Sequence, residues 1–422
     1  MIHNWLVWGI AAVATLGVIL RPRGWPEAIW AVAGALALVV CRLLPVGDAW
    51  AGVLKGSDVY LFLIGMMLMS EVARKEGLFD WLAAIAVRAA RGSPTRLFLL
   101  VYVVGTVVTV FLSNDACAVV LTPAVYYATR AAKVQNPLPY LLVCAFIANA
   151  ASFVLPISNP ANLVVFAQNM PPLTRWLAIF GLPSVLAIVV TFAVLRLTQR
   201  SALNDETVAT TVELRTLSRT GMLAGFGIVA TGGVLITASA LGLDLGLPTF
   251  VAGLATTVAV LLVKRGGAVE IVKDVSWSVL PLVAGLFVLV EALEKTGVLQ
   301  SLADVLQHAA AASVTAAAWA AGAVVAVSSN LVNNLPAGLI AGAAVHGAQV
   351  SEKVSGAIMI GVDLGPNLSV TGSLATILWL TAIRREGLDV SAWQFLKIGA
   401  LVMPPALITA LGALLLPSIL AH

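Results

Sequence analysis

The chain has 422 residues, of which 60% are apolar and only 10% charged, with 24 basic against 20 acidic side chains and a mean hydropathy of +1.00. A soluble domain carries about 25% charged residues, so this chain lacks the polar surface to cover itself in water. Its composition excludes a cytoplasmic enzyme, a nucleic-acid binder and a disulfide-stapled secreted domain, and identifies an integral membrane protein.

The apolar runs are long and continuous rather than alternating with period two, which predicts spanning helices and not a transmembrane barrel. Met1-Ile2-His3-Asn4 offers neither a basic n-region nor a small-residue cleavage site, so the run Trp5–Leu20 is expected to be the first span and not a signal peptide. Further runs near the ~20 residues that a spanning helix needs are Ala28–Leu44, Val59–Ala73, Phe180–Leu197, Met222–Leu241, Phe250–Val263, Ser278–Leu293 and Ile398–Leu420. Between them lie four apolar stretches interrupted by polar or Pro/Gly clusters: Arg96–Arg130, Leu138–Asn169, Val314–Gly347 and Val354–Ile383. If the first and third are re-entrant hairpins and the second and fourth broken spans, each half makes five crossings. The expected fold is therefore all-α and polytopic, about ten transmembrane helices in two inverted five-helix repeats. The divisions are a membrane repeat over 1–200, a cytoplasmic linker over 201–220 and an inverted membrane repeat over 221–422.

Basic residues test that topology. With the N-terminus outside, 19 Lys and Arg fall inside and five outside, the latter being Arg42, Lys55, Arg175, Lys295 and Lys353. This is the asymmetry of the positive-inside rule, and it predicts a multi-pass protein of the cytoplasmic (inner) membrane with both termini outside. The linker, with Asp205, Glu206, Glu213, Arg215 and Arg219, is the only sizeable non-membrane segment.

The halves repeat. Gly65, Glu71, Lys75 and Gly77 recur 220 positions later as Gly285, Glu291, Lys295 and Gly297; nearly the same offset maps Asn114-Asp115 onto Asn333-Asn334, and 210 maps Pro156 onto Pro366. Inverted repeats with interrupted helices are the build of secondary transporters, which hold their substrate where the repeats meet. Glu71 with Lys75 and Glu291 with Lys295 read as i,i+4 ion pairs at helix ends.

Polar side chains at membrane depth are costly, and non-helical backbone survives there only inside protein or along an aqueous cavity. The hairpin tips therefore offer Ser113 and Asn114, and Asn333 and Asn334, as solute ligands. The broken spans add Asn159 and Asn162, then Asn367, Thr371 and Ser373. Asp115 and Asp363 are the only carboxylates inside the breaks and are the candidates for proton coupling, with helix capping the alternative for Asp115. No Lys or Arg occurs in Phe98–Ala128, Leu142–Ala167, Val314–Gly347 or Gly356–Ala382. A small neutral polyhydroxy solute or a cation suits such a site. Cys41, Cys117 and Cys144 read as small apolar residues, His346 as a surface residue, and His3, His308, His346 and His422 have no metal-ligand spacing. No cofactor is expected.

Phe111-Leu112-Ser113-Asn114-Asp115, Ser158-Asn159-Pro160-Ala161-Asn162, Val332-Asn333-Asn334-Leu335-Pro336 and Gly365-Pro366-Asn367 with Gly372-Ser373-Leu374-Ala375 together resemble the arsenite/antimonite efflux permeases of the ArsB type. These belong to an ion-transporter superfamily that also holds sodium/proton antiporters and sodium-coupled dicarboxylate carriers. The resemblance implies efflux of trivalent arsenite or antimonite as a neutral trihydroxide in exchange for protons, by an elevator-like movement. It also implies, in some cases, a cytoplasmic arsenical pump ATPase as partner. A homodimer stays open. The dicarboxylate carriers have Ser-Asn-Thr at both tips, from which Ser113-Asn114-Asp115 and Asn333-Asn334 depart. Two other readings remain: a sodium/proton antiporter, and an intramembrane aspartyl hydrolase using Asp115 and Asp363.

Overall fold

The computed structural model describes residues 2–166, 170–204, 206–209 and 216–416. Asn169, the linker residues Asp205, Glu213 and Arg215, and the end of the last apolar run lie outside them. The first half contains α1 (Ile2–Leu20), α2 (Glu27–Val40), α3 (Val46–Lys55), α4 (Ser57–Lys75), α5 (Leu78–Ala90), α6 (Pro94–Phe111), α7 (Asn114–Ala116), α8 (Thr122–Ala131), α9 (Leu138–Ala150), α10 (Pro160–Phe166), α11 (Leu173–Thr198) and α12 (Arg200–Asn204). The second contains α13 (Arg219–Ala240), α14 (Gly246–Lys264), α15 (Ala268–Asp274), α16 (Val279–Lys295), α17 (Val298–Ala312), α18 (Val314–Val332), α19 (Asn334–Ala348), α20 (Glu352–Leu364), α21 (Leu374–Arg385) and α22 (Ala392–Leu415). Among the described residues there is no strand.

Eight helices are long and apolar enough to cross a membrane, or nine if α3 and α4, bent by 47° at Gly56, form one span. The run expected at Ala28–Leu44 is a helix of only 14 residues, because Arg42 leaves the helical region at φ +56°. α6 and α18, expected as hairpin arms, have 18 and 19 residues and are among the eight.

The chain doubles back where hairpins were expected. At about 1.5 Å per residue, a straight continuation of α18 into α19 would carry Gly347 far from α17. Instead, a methyl group placed on Gly347 would lie 3.0 Å from the Cβ of Ala303 on α17. α17 packs on both α18 and α19, as α5 does on both α6 and α8. A π-helical turn, Cys117–Leu121, joins α7 to α8.

The recurrence of Gly65 and Gly285 has a packing cause. A Cβ on Gly65 would run into the carbonyl of Thr249 on α14, and one on Gly253 into the backbone of Gly65; on Gly285 it would lie 2.7 Å from the backbone of Ala31 on α2. The halves thus clasp each other through backbone contacts, α4 on α14 and α16 on α2. Small residues that let backbones approach are how helices associate in lipid.

Glu291, Lys75 and Lys295 of the recurring Glu–Lys pairs also serve this clasp, each with its nearest partner on another helix, whereas Glu71 pairs within its own. Glu291 accepts from Lys55 at 2.6 Å but is 3.9 Å from Lys295, which reaches Asp48 at 3.3 Å. Glu71 accepts from Arg74 Nε at 2.9 Å, while Lys75 lies 3.0 Å from Asp274 and 3.8 Å from Glu71. Cys117 and Cys144 are buried as expected, but Cys41 is exposed; His346 is exposed on α19.

Overfilling a close contact costs about 1–3 kcal/mol. Gly65→Ala should lower the thermal unfolding midpoint in detergent, whereas Gly233→Ala, whose Cβ would meet nothing within 4 Å, should leave it unchanged or raise it.

Candidate solute site

Each of the four breaks ends at a helix N-terminus, whose first N–H groups need partners. Ser113 Oγ accepts from Ala116 N at 3.3 Å, Asn159 Oδ1 from Ala161 N at 3.0 Å, Asn333 Oδ1 from Leu335 N at 3.3 Å and Ser373 Oγ from Thr376 N at 3.1 Å. Four of the sequence candidates are thus N-caps of α7, α10, α19 and α21. Their oxygens serve the backbone.

This corrects the alignment of the two tips. Ser113 pairs with Asn333, both caps, and Asn114 with Asn334, both the first residue of a helix. The offset is 220, identical to that of the glycines, not the one-residue-shorter offset read from the Asn-Asp and Asn-Asn dipeptides. Asn333 sits at φ +72°, ψ 152°, outside the αL region and in backbone space otherwise used almost only by glycine, so the contacts of the tip must hold it there. Asp115 is the second residue of α7 and its backbone N donates to Asn114 Oδ1 at 2.9 Å.

The breaks differ in length: the caps Asn159 and Ser373 are 214 apart, against 210 for the prolines. The four extra residues, Ser369–Gly372, bind the second tip. Asn334 N donates to Gly372 O at 2.8 Å, Asn333 Nδ2 to Thr371 O at 3.3 Å, Thr371 Oγ1 to Asn330 O at 3.0 Å and Ser369 Oγ to Asn330 Oδ1 at 2.8 Å. Asn330 Nδ2 also donates to Gly365 O at 2.9 Å. Asn330, on α18, was not among the sequence candidates; its position one helical turn before the tip was the available signal.

Behind the tips the two broken helices share a buried polar network. Asn149 Nδ2 donates to Asn367 Oδ1 at 3.1 Å and Thr376 Oγ1 at 3.2 Å, and Asn367 Nδ2 to Phe146 O at 3.0 Å. Asn162 Nδ2 holds Ser152 O at 2.9 Å and Leu155 O at 3.2 Å, tying up the first break. Asn159 Nδ2 donates to Asp363 Oδ1 at 2.7 Å. Asp363 is fully buried, and its Oδ2 has no hydrogen-bond partner among the described residues.

Two cavities meet at the tips. The smaller, about 30 Å³, is lined by Asn114, Asp115, Asn159 and Asn334 beside Pro160, Leu374 and Ala375, so four helix N-termini converge on it. Asn114 and Asn334 are 3% and 4% exposed, and neither amide NH2 has a partner among the described residues. The larger, about 720 Å³, shares Leu63, Asp115, Pro160 and Val279 with the smaller and also takes in Ser113. Asn162, Asn333, Asn367, Thr371, Ser373 and Asp363 line neither cavity.

The breaks carry no basic side chain, but the larger cavity does. Arg74 and Arg385 line it, together with Glu71, Asp80, Asp115, Asp274 and Glu386. Two guanidinium groups against five carboxylates leave this cavity net acidic. Asp115 and Asp363 share neither a cavity nor a hydrogen bond, so they form no aspartyl dyad of the kind a hydrolase needs. Among the described residues no cluster of His, Cys, Asp and Glu could hold a metal ion.

The chain is similar over nearly its whole length to proteins named arsenical pump membrane protein. That of Yersinia enterocolitica is 26% identical, over 97% of this chain and 98% of the relative, and that of Escherichia coli strain K12 25% identical, over 94% and 95%. An uncharacterized transporter of Mycobacterium tuberculosis is 28% identical over 88% and 89%. Among solved structures, the YdaH transporter of Alcanivorax borkumensis superposes with a TM-score of 0.57 at 15% identity, over 87% of this chain and 86% of that one; MtrF of Neisseria gonorrhoeae gives 0.53 at 13%, over 90% and 84%. These two share the fold. Residues 15–366 match the citrate transporter family, and the chain, a membrane transporter and not an enzyme, belongs to that family, CitMHS.

Proposed function

We propose that the protein is a secondary active transporter that exports trivalent arsenite or antimonite, as the neutral trihydroxide, across the cytoplasmic membrane in exchange for protons. The single observation that carries this reading is the small cavity, where Asn114, Asn334 and Asp115 meet four capped helix N-termini. Capping leaves few free N–H groups there but leaves the positive ends of the helix dipoles. Oxygen lone pairs of a trihydroxide face those ends, while its hydroxyl groups donate to Asp115 and its oxygens accept from the two free amides. The relatives named arsenical pump membrane protein support the same cargo.

A tricarboxylate fits poorly, despite the family's description. It needs cationic partners, and the cavity that leads to the tips is net acidic. A space of about 30 Å³ holds roughly one water, so the solute enters where the two cavities share a wall. Ser113, Asn159, Asn162, Asn333, Asn367, Thr371 and Ser373 then support the site as caps and braces, and Asp115 and Asp363 are the proton-coupling candidates.

In this reading the halves at 1–200 and 221–422 are inverted five-crossing repeats joined by a cytoplasmic linker, with both termini outside. The tips are re-entrant hairpins that move with the broken helices, elevator-like, against the clasped α2, α4, α14 and α16. An arsenical pump ATPase would meet the linker face, and a homodimer would use the lipid-facing scaffold. The net acidic cavity favours one second reading, a sodium/proton antiporter.

Everted membrane vesicles with an acid interior should accumulate arsenite, and a protonophore should abolish this. Sodium-dependent movement of a pH dye, unaffected by arsenite, would select the antiporter instead. Asn114→Ala and Asn334→Ala should each reduce arsenite uptake at least tenfold in protein that unfolds at the wild-type temperature. Ser113→Ala and Ser373→Ala should show the opposite split, losing about 1 kcal/mol of stability with the half-saturation concentration little changed.

A further inference from the structure

We infer that the exchanged proton resides on Asp363 Oδ2 and not on Asp115, and that Asn159 conveys its presence to the solute cavity. This rests on the exchange reading above and assigns the two carboxylates different work.

The observation is a set of buried acceptors short of donors. Asp363 Oδ2, Asn149 Oδ1 and Asn162 Oδ1 all lack partners, on residues that are 0% exposed. All three residues surround Ser152: its Oγ donates to Asn149 O at 2.8 Å, its carbonyl accepts from Asn162, and it faces the carboxyl group of Asp363. α9, α10, α11, α18, α19 and α22 pack on α20. Among the described residues, the side chains they and the first break turn toward Asp363 are Asn159 and Ser152, neither of them charged. Arg175 of α11 pairs with Glu352 at the opposite end of α20.

An ionised carboxylate only accepts hydrogen bonds; a protonated one also donates. A proton on Oδ2 therefore turns one of the three orphan acceptors into a donor. When it leaves, Asn159 Nδ2 is the one amide donor bonded to the buried charge, and further donors must come from Asn149 and Asn162, which adjoin the same Ser152. For Asn162 that means releasing Ser152 O and Leu155 O, which hold the first break. Asn159 spans both places, since its Nδ2 bonds Asp363 and the residue lines the small cavity. Asp115, in contrast, lines both cavities, where its charge is met by water and solute.

The test uses the full-length protein in liposomes. Solute-for-solute exchange, arsenite against antimonite without a pH gradient, is read beside proton movement reported by a trapped pH dye. Asp363→Asn reproduces the protonated form, its NH2 a donor where the proton stood and its Oδ1 accepting from Asn159, so it should fold. It should keep solute exchange within about threefold, lose proton counterflow at least tenfold and exchange at a constant rate from pH 5.5 to 8.5. Asp363→Glu should restore part of the proton counterflow, which a merely structural defect would not allow. Asp115→Asn should slow solute exchange while the remaining flux stays proton-coupled.

Loss of proton counterflow in Asp115→Asn with Asp363→Asn still coupled would overturn the assignment. So would counterflow of sodium in place of protons. If the wild type moves no arsenite, the exchange reading fails on its own, and unfolding midpoints without solute decide about Asp363. The wild-type midpoint should then vary more steeply from pH 5.5 to 8.5 than that of Asp363→Asn; equal pH dependence in both would overturn the inference.

Discussion

At membrane depth every backbone N–H and C=O must find its partner inside the protein, because lipid offers none. Four helix starts inside an apolar chain are four violations of that rule unless side chains repair them. Ser113, Asn159, Asn333 and Asn330, with Ser373, do so by capping N–H groups and holding the freed carbonyls. The rest of the molecule depends on these repairs. They allow two hairpins and two interrupted helices to end facing one another, which brings polar atoms and helix dipoles to one small space between the halves.

The surrounding scaffold is built for close approach. Gly65 and Gly285 place backbone against backbone, and the charged ends of α4 and α16 tie each half to the other through Lys75–Asp274 and Lys55–Glu291. Charge is thereby kept at the helix ends and on the walls of the larger cavity. The innermost space keeps amides and one carboxylate. That division lets a site draw on helix electrostatics without a fixed basic side chain, which is the basis of the proposal that the cargo is neutral.

Much of this was legible in the chain itself. Long apolar runs showed the spans, and the polar clusters at Ser113–Asp115, Pro156–Asn162, Asn333–Asn334 and Asp363–Ser373 marked all four breaks. Less was legible in the roles of individual residues. Serine and asparagine at a break suit a cap and a ligand equally well, and only the bonded partner separates the two; thus Ser113 and Ser373 looked like ligands. The true register of the tips was hidden because Asn-Asp and Asn-Asn imitate each other one position out of step. Asn330 and Ser369–Gly372 owe their roles to a fold-back contact across about 40 residues. The i,i+4 spacing of Glu71 and Lys75 was real, but Glu71 has a nearer partner in Arg74 of its own helix and Lys75 one in Asp274 of the other half.

The central claim is that solute binds between Asn114 and Asn334, at the meeting point of the four helix starts. Crystals of the protein with antimonite, measured at an antimony absorption edge, test it directly. One anomalous peak is predicted where the two cavities share a wall, beside Asp115 and within reach of both amides. A peak beside Cys117 and Cys144, or one confined to the part of the larger cavity lined by Arg74 and Arg385, would contradict it.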